Sequence, residues 1–227
     1  MSDIKHLAVI MDGNRRFAKR LMLDPTKGHE YGSKKLEQLF EWCKEFNIKE
    51  LTLYAFSMQN FNRPKQEFDY LMNLFKENFT KFGDDPRIEK EGIKINVIGR
   101  YHLFPKEVST IIDKIMEKTK KNSNFIINFA MAYGGREEIL DAVKKIVADN
   151  KTPEDITEEY FSSNLYISSE PDIIIRTGGE KRTSNFLPWQ SIYSEWFFLD
   201  KTWPEFEKED FINIIEEFKK RERRFGR

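Results

Sequence analysis

His6-Leu7-Ala8-Val9-Ile10-Met11-Asp12-Gly13-Asn14 is apolar residue after residue and then turns polar at once. Alternation would mark a strand with one wet face. Its absence over residues 7–11 predicts a strand covered on both faces, as strands of parallel sheets are. Further short apolar runs predict strands at 51–56, 93–98, 125–131, 172–176 and 192–199. The segments between them have helical spacing. Residues 33–46 place Leu36, Leu39, Phe40, Cys43 and Phe46 on one face. Residues 107–120 do so with Val108, Ile111, Ile112, Ile115 and Met116, and residues 136–149 with Ile139, Leu140, Val143, Ile146 and Val147. A last helix begins acidic at 207–210 and ends basic at 219–224, which suits the helix dipole. Strands alternating with helices predict an α/β fold. The expectation is a single domain over residues 1–227, with a central, mostly parallel sheet of about six strands flanked by helices.

Residues 68–82 carry a wider apolar stripe than a surface helix needs: Phe68, Tyr70, Leu71, Met72, Leu74, Phe75, Phe79 and Phe82. Two readings fit it, a buried core helix or one wall of a hydrophobic tunnel.

Composition narrows the class. With 38 Lys and Arg against 38 Asp and Glu, nothing pulls the chain toward nucleic acid, so any anion site is local. The single cysteine, Cys43, cannot form an internal disulfide, and with three scattered histidines it makes no zinc site. Cys43 also falls on an apolar helix face, as a core residue does. These features imply a reducing, cytoplasmic compartment. No signal-peptide core precedes the first strand, and no apolar run approaches transmembrane length.

Three polar clusters follow predicted strands: Asp12-Gly13-Asn14-Arg15-Arg16 the first, Ser57, Asn60 and Arg63 the second, and residues 176–184 the fifth. Ligands of open parallel sheets bind at that carboxyl edge, so the three are expected to converge. Arg16, Arg63, Arg176 and Arg182 supply planar forks that suit phosphate oxygens, and there are enough of them for two diphosphates. Asp12 and Glu195 supply hard oxygens of the kind that hold Mg²⁺ together with phosphate. Common phosphate motifs are missing: there is no GxxxxGK[ST] and no GxGxxG after a strand. A phosphohydrolase with an aspartyl nucleophile two residues before Asp12 is argued against by Ile10 at that position. Asp84-Asp85 leads into Pro86-Arg87-Ile88, which does not complete a DDxxD motif. The chemistry expected is stabilisation of a leaving diphosphate by charge and metal.

The opening stretch, residues 6–14, is similar to the first motif of the cis-prenyltransferase family. Residues 54–64 (Tyr-Ala-Phe-Ser-Met-Gln-Asn-Phe-Asn-Arg-Pro), 128–136 (Asn-Phe-Ala-Met-Ala-Tyr-Gly-Gly-Arg) and 171–198 resemble the following ones in family order. The resemblance implies a homodimeric, Mg²⁺-dependent transferase. It would condense isopentenyl diphosphate successively onto farnesyl diphosphate with cis stereochemistry. The product would be a long polyprenyl diphosphate of the undecaprenyl type, a lipid carrier precursor for cell-wall synthesis held in a hydrophobic tunnel. It also implies transient contact with a membrane surface at product release, at the inner face of the cell membrane.

Site roles carried over by motif position are as follows. Asp12 would bind the metal and assist departure of the allylic diphosphate. Gly13, Asn14, Arg16, His29 and Arg63 would hold that diphosphate, and Arg176, Arg182 and Ser184 the isopentenyl diphosphate. Glu195 would be a further metal ligand. Arg15, Phe17, Ser57, Met58, Gln59, Phe61 and Thr183 complete the substrate-binding set. Asn60 is the family's proton acceptor; because a neutral amide is a poor base, the expectation is that it positions the true acceptor.

The chain departs from the family pattern at Arg15, where Gly is usual, and at Phe17 and Phe61, where Trp is usual. The arginine expected four residues before His29 is Pro25, so Lys27 or Arg15 is expected to supply the missing cation. A non-catalytic partner subunit of the same fold would lack Asp12 and several of the arginines. Arg224-Phe225-Gly226 fits a C-terminal Arg-x-Gly that the family sometimes sends to a partner's site.

Overall fold

Strands apolar on both faces need cover on both, and the computed structural model, which describes residues 4–221, provides it. In chain order the elements are β1 (His6–Ile10), α1 (Asn14–Arg20), α2 (Lys27–Glu45), β2 (Glu50–Ser57), α3 (Lys65–Asp84), α4 (Pro86–Lys90), β3 (Ile93–Ile98) and α5 (Lys106–Thr119). There follow β4 (Phe125–Tyr133), α6 (Gly135–Ala148), α7 (Glu158–Ser163), β5 (Ile173–Arg176), β6 (Glu195–Phe198) and α8 (Lys208–Lys220). The six strands form one sheet in the order β3-β4-β2-β1-β5-β6, and every pairing is parallel.

Register fixes what each edge of the sheet presents. Ile95, Ile127, Leu51, Leu7, Ile173 and Glu195 form one row across it. Ile98, Ala130, Tyr54, Ile10, Arg176 and Phe198 form another, three residues nearer the carboxyl edge. The rows lie about 10 Å apart at the usual strand rise. One face packs against α2, α3, α5 and α8 through Leu39, Leu71, Ile112 and Phe211. The other meets Ile167, Phe186 and Leu187.

Two sequence expectations need correcting. The last strand starts at Glu195, not 192; Ile192 and Tyr193 are exposed residues of the turn before it. In α6, Leu140, Val143 and Val147 of the expected stripe are exposed, Ile139 is half-buried and Ile146 is buried, and the helix also buries Gly135, Glu138 and Ala142. Glu138 can be buried because three groups bond it: the Tyr133 hydroxyl, the Gln190 amide and the Tyr166 backbone N–H. Three of the five residues of the apolar stripe counted from periodicity therefore point away from the core. Cys43 is buried, and burial pushes its thiol far above the usual range, which makes it inert. Among the described residues no helix is long and apolar enough to cross a membrane. The Arg224-Phe225-Gly226 segment lies outside the described residues.

Candidate active site

The turn after β1 is built around Asp12. Gly13 adopts a left-handed φ of 99°, and a Cβ there would come within 2.7 Å of Thr202 Cβ, so glycine is required. The Gly13 N–H donates to Asp12 Oδ1 at 2.6 Å. Arg16, one turn along α1, donates to the same oxygen at 3.2 Å and to the Gly178 carbonyl. Arg176, the last residue of β5, donates from Nη2 to Asp12 Oδ2 at 2.9 Å. Its Nη1 donates to Ser184 Oγ at 2.7 Å and to the Arg182 carbonyl. Arg176 is only 3% exposed. One buried guanidinium thus joins the first polar cluster to the third.

The second cluster closes the other side. A short 3-10 segment, Met58–Asn62, follows β2. With three residues per turn it presents Ser57, Asn60 and Arg63 to one cavity and turns Met58, Gln59 and Phe61 away. Asn60 Oδ1 accepts from the Ser57 N–H at 2.9 Å, which leaves its NH₂ as the group that can donate toward the cavity. Arg63 pairs with Glu67 at 2.9 Å, and Arg15 approaches the same carboxylate at 3.6 Å.

His29 lies among these charges. Its Nε2 is buried without a hydrogen-bond partner, 3.9 Å from Glu67 Oε1. Burial, then the positive charges of Arg63 and Arg15, push its pKa down to about 4, so the ring is neutral at pH 7. The unfolded ring titrates near 6.5. Between those values the unfolded chain binds the extra proton, so His29 makes stability fall as pH drops from 6.5 toward 4. The loss from this residue is about 3 kcal/mol at most. Urea unfolding at pH 7 and 4.5 should show His29→Gln losing less stability than the wild type by that order. Burial also lowers the His6 pKa, but it is common to both proteins and drops out of the comparison. Equal losses in the two proteins would contradict the assignment.

Among the described residues, five buried side-chain polar atoms lack a partner, and three belong here: His29 Nε2, Arg176 Nε and Asn14 Oδ1. The histidine and arginine nitrogens are groups that a bound oxyanion would satisfy. Asn14 Oδ1 instead faces Gly32 of α2, where a Cβ would come within 2.4 Å of it.

From this polar mouth a cavity of about 630 Å³ runs along the sheet between α2 and α3. Its walls are Leu36 and Phe40 of α2, Leu71, Leu74, Phe75, Phe79 and Phe82 of α3, and Met131, Phe129, Ile127 and Phe125 of β4. The stripe on α3 is therefore a tunnel wall, while Met72 and Phe68 of the same helix pack into the core. The far end has a charged rim of Glu41, Lys44, Asp85, Arg87 and Glu91, in which Lys44 pairs with Glu91 at 2.9 Å.

The structure brings together Asp12, Gly13, Asn14, Arg15, Arg16, His29, Ser57, Asn60, Arg63 and Arg176 around one cavity. Arg182, Thr183 and Ser184 adjoin it through Arg176 rather than lining it, and the Arg182 side chain pairs with Glu180. Phe17 lies off the lining and packs against Tyr31. Glu195 is not brought to Asp12. It begins β6 opposite Ile173, at the other end of the strand from Arg176, and binds Arg221 at 2.6 Å. Among the described residues no three His, Cys, Asp or Glu side chains cluster as metal ligands. Of the two cations expected to replace the arginine at Pro25, Arg15 lines the cavity, whereas Lys27 is paired with Glu30 outside it. Sequence reasoning missed Glu67. Its spacing of four from Arg63 on a helix start was the available signal.

Comparison with known proteins gives a consistent set. Residues 10–226 match the prenyltransferase family model described as undecaprenyl diphosphate synthase. A Thermococcus kodakarensis tritrans,polycis-undecaprenyl-diphosphate synthase (geranylgeranyl-diphosphate specific) is 52% identical over 98% of this chain and 87% of its own length. A Thermus thermophilus isoprenyl transferase is 44% identical over 98% of this chain and 89% of its own. The crystal structure of lavandulyl diphosphate synthase from Lavandula x intermedia, in complex with dimethylallyl diphosphate, superposes with a TM-score of 0.93. It is 32% identical and the match covers 99% of this chain and 98% of that one.

Proposed function

We propose, since the chain belongs to the cis-prenyltransferase family, that it extends geranylgeranyl diphosphate by successive cis additions of isopentenyl diphosphate to a long polyprenyl carrier of the undecaprenyl class. One observation carries this reading. Buried Arg176 bridges Asp12 on one side and Ser184 on the other, so one guanidinium joins two polar turns at the mouth of an apolar tunnel. Starter and extender diphosphates fit those two turns, and the growing tail fits the tunnel. The geranylgeranyl starter, rather than farnesyl, is taken from the name of the Thermococcus kodakarensis relative.

In this reading the allylic diphosphate sits against Arg15, Arg63 and the free Nε2 of His29, and the extender against Arg176, Arg182 and Ser184. A neutral His29 can donate one hydrogen bond without adding charge. Arg16 and Arg176 hold the Asp12 carboxylate from both sides and lie next to the leaving diphosphate, whose developing charge they stabilise. The NH₂ of Asn60 orients a diphosphate oxygen or a water to take the proton lost from the extender. The apolar walls below keep water from the reacting carbons. A single carboxylate fits Mg²⁺ held chiefly by diphosphate oxygens, not a cage of protein ligands. When bound, the ion would supply further charge stabilisation for the leaving group. The exposed α6 face of Leu140, Val143 and Val147 supports pairing with a second copy of the chain.

Incubation with labelled isopentenyl diphosphate, Mg²⁺ and either starter, followed by chain-length analysis, tests the proposal. The expected kcat/KM with geranylgeranyl diphosphate exceeds that with farnesyl diphosphate about tenfold or more. Equal or better use of farnesyl would overturn the starter assignment, and a product stopping after one or two additions the chain-length class. Arg15→Ala should raise KM for the allylic diphosphate about tenfold, as loss of one charge-assisted contact does. Lys27→Ala should leave it unchanged, and a reversed pattern would remove Arg15 from the site.

A further inference from the structure

The turn between α1 and α2 carries Leu21, Met22 and Leu23, all exposed, and Met22 is 94% exposed. Apolar side chains normally avoid such a position. The turn is built rather than loose. The Met22 N–H donates to the Lys19 carbonyl at 3.0 Å and the Leu23 N–H to the Ala18 carbonyl at 2.9 Å. Met22 holds a left-handed φ of 56°, which is unfavourable for a residue with a side chain. A strained backbone therefore presents an apolar tip.

The tip is continuous with more apolar surface. Phe17 of α1 meets Tyr31 of α2 edge to face at 5.3 Å, and Tyr31 is itself exposed. Basic groups edge the patch. Lys34 lies over the Tyr31 ring, Arg20 lies over Phe17, and Lys19 has no ion pair among the described residues. Of the nearby acids, Glu30 pairs with Lys27 and Glu205 with Arg20, while Asp24 is hydrogen-bonded by Thr26 and keeps its charge, so Lys19 and Lys34 leave the edge net cationic by one. What remains outward is an apolar tip with cationic edges and an aromatic ring beside it.

That combination has one well-matched occupant. Leu and Met side chains enter the acyl boundary, tyrosine sits at headgroup level, and lysines answer anionic headgroups. α1 leads from the Asp12 turn to this tip over seven residues, about 10 Å. We propose that the α1–α2 turn docks the protein on an anionic lipid bilayer, with the cavity mouth beside the membrane surface. This deepens the polyprenyl reading above and rests on it for its purpose, since a polyprenyl product has to leave toward lipid.

Sedimentation of the full chain with vesicles tests this. The vesicles are phosphatidylcholine alone or mixed with phosphatidylglycerol. The wild type should bind the mixed vesicles, and binding should weaken with salt. The triple variant L21S/M22S/L23S should partition at least tenfold more weakly, and K19A/K34A several-fold more weakly on mixed vesicles only. Prenyl transfer in detergent and mass by light scattering should stay at wild-type values. Met22→Gly removes the side chain and relieves the left-handed backbone, so it should fold at least as well and still bind more weakly. The proposal is overturned if the wild type does not sediment, or if the serine or glycine variants sediment like it. It is also overturned if the serine variant halves in mass, which would make a second copy the occupant. Absence of prenyl transfer by the wild type in detergent would instead refute the enzymatic reading and leave the vesicle result standing.

Discussion

Asp12→Ala should lower kcat for chain elongation about 10³-fold, the scale on which removing one preorganised charge partner acts. Asp12 receives hydrogen bonds from three directions: Gly13 N–H, Arg16 and Arg176. Without the carboxylate, two guanidiniums face each other across an empty position. Arg176 then keeps its bonds to Ser184 and the Arg182 carbonyl but loses its counter-charge. The Asp12 side chain is 31% exposed, so solvent screens the loss. Stability should fall by about 1–2 kcal/mol, short of the 3–5 kcal/mol of a fully buried pair. Asp12→Asn should be nearly as damaging to kcat. It restores shape and the Gly13 contact but not the charge, and its NH₂ would point a donor at an arginine. Steady-state kinetics beside thermal melts separates the two effects. A kcat within tenfold of wild type for either variant would remove Asp12 from the reaction.

Much of this site was legible because it obeys local rules. Polar residues directly after all-apolar strands belong to the ligand edge of a parallel sheet. Asp12, Arg63 and Arg176 were found that way and do converge on one edge. Residues whose place depends on register or on helix phase were not legible. Glu195 reads like a site carboxylate, yet in β6 it stands three rungs from Phe198, the partner of Arg176. Met58, Gln59 and Phe61 sit in a motif segment, but a three-residue turn hides them from the cavity. The α6 stripe is buried only at its Ile146 edge, because Ala142 and a bonded Glu138 take the rest of the buried side. The role of α3 could not be decided by counting either. A core helix and a tunnel wall differ only in whether the facing helix comes close enough to fill the gap.

The tunnel's length follows from the sheet that forms its floor. Met131, Phe129, Ile127 and Phe125 all line it, at alternate positions of one strand, about 7 Å apart. Ile95 stands beside Ile127 in the ladder, and Ile93 beside Phe125, two rungs deeper. At the deep end the Lys44–Glu91 pair and its charged neighbours meet any advancing tail. An apolar chain cannot replace the partners of a displaced charge, so each further addition there becomes less favourable. A bulky side chain placed higher up should end growth sooner. Ile127→Trp and Ile95→Trp should therefore shift the main product to fewer isoprene units. Ile93→Trp should shift it less, because its rung is deeper. Overpacking costs about 1–3 kcal/mol in a filled core, and the open cavity beside these residues should hold it to the lower end. Chain-length analysis of the three variants reads the order directly. Unchanged products, or a shorter product from Ile93→Trp than from Ile127→Trp, would mean that the growing tail does not follow β4.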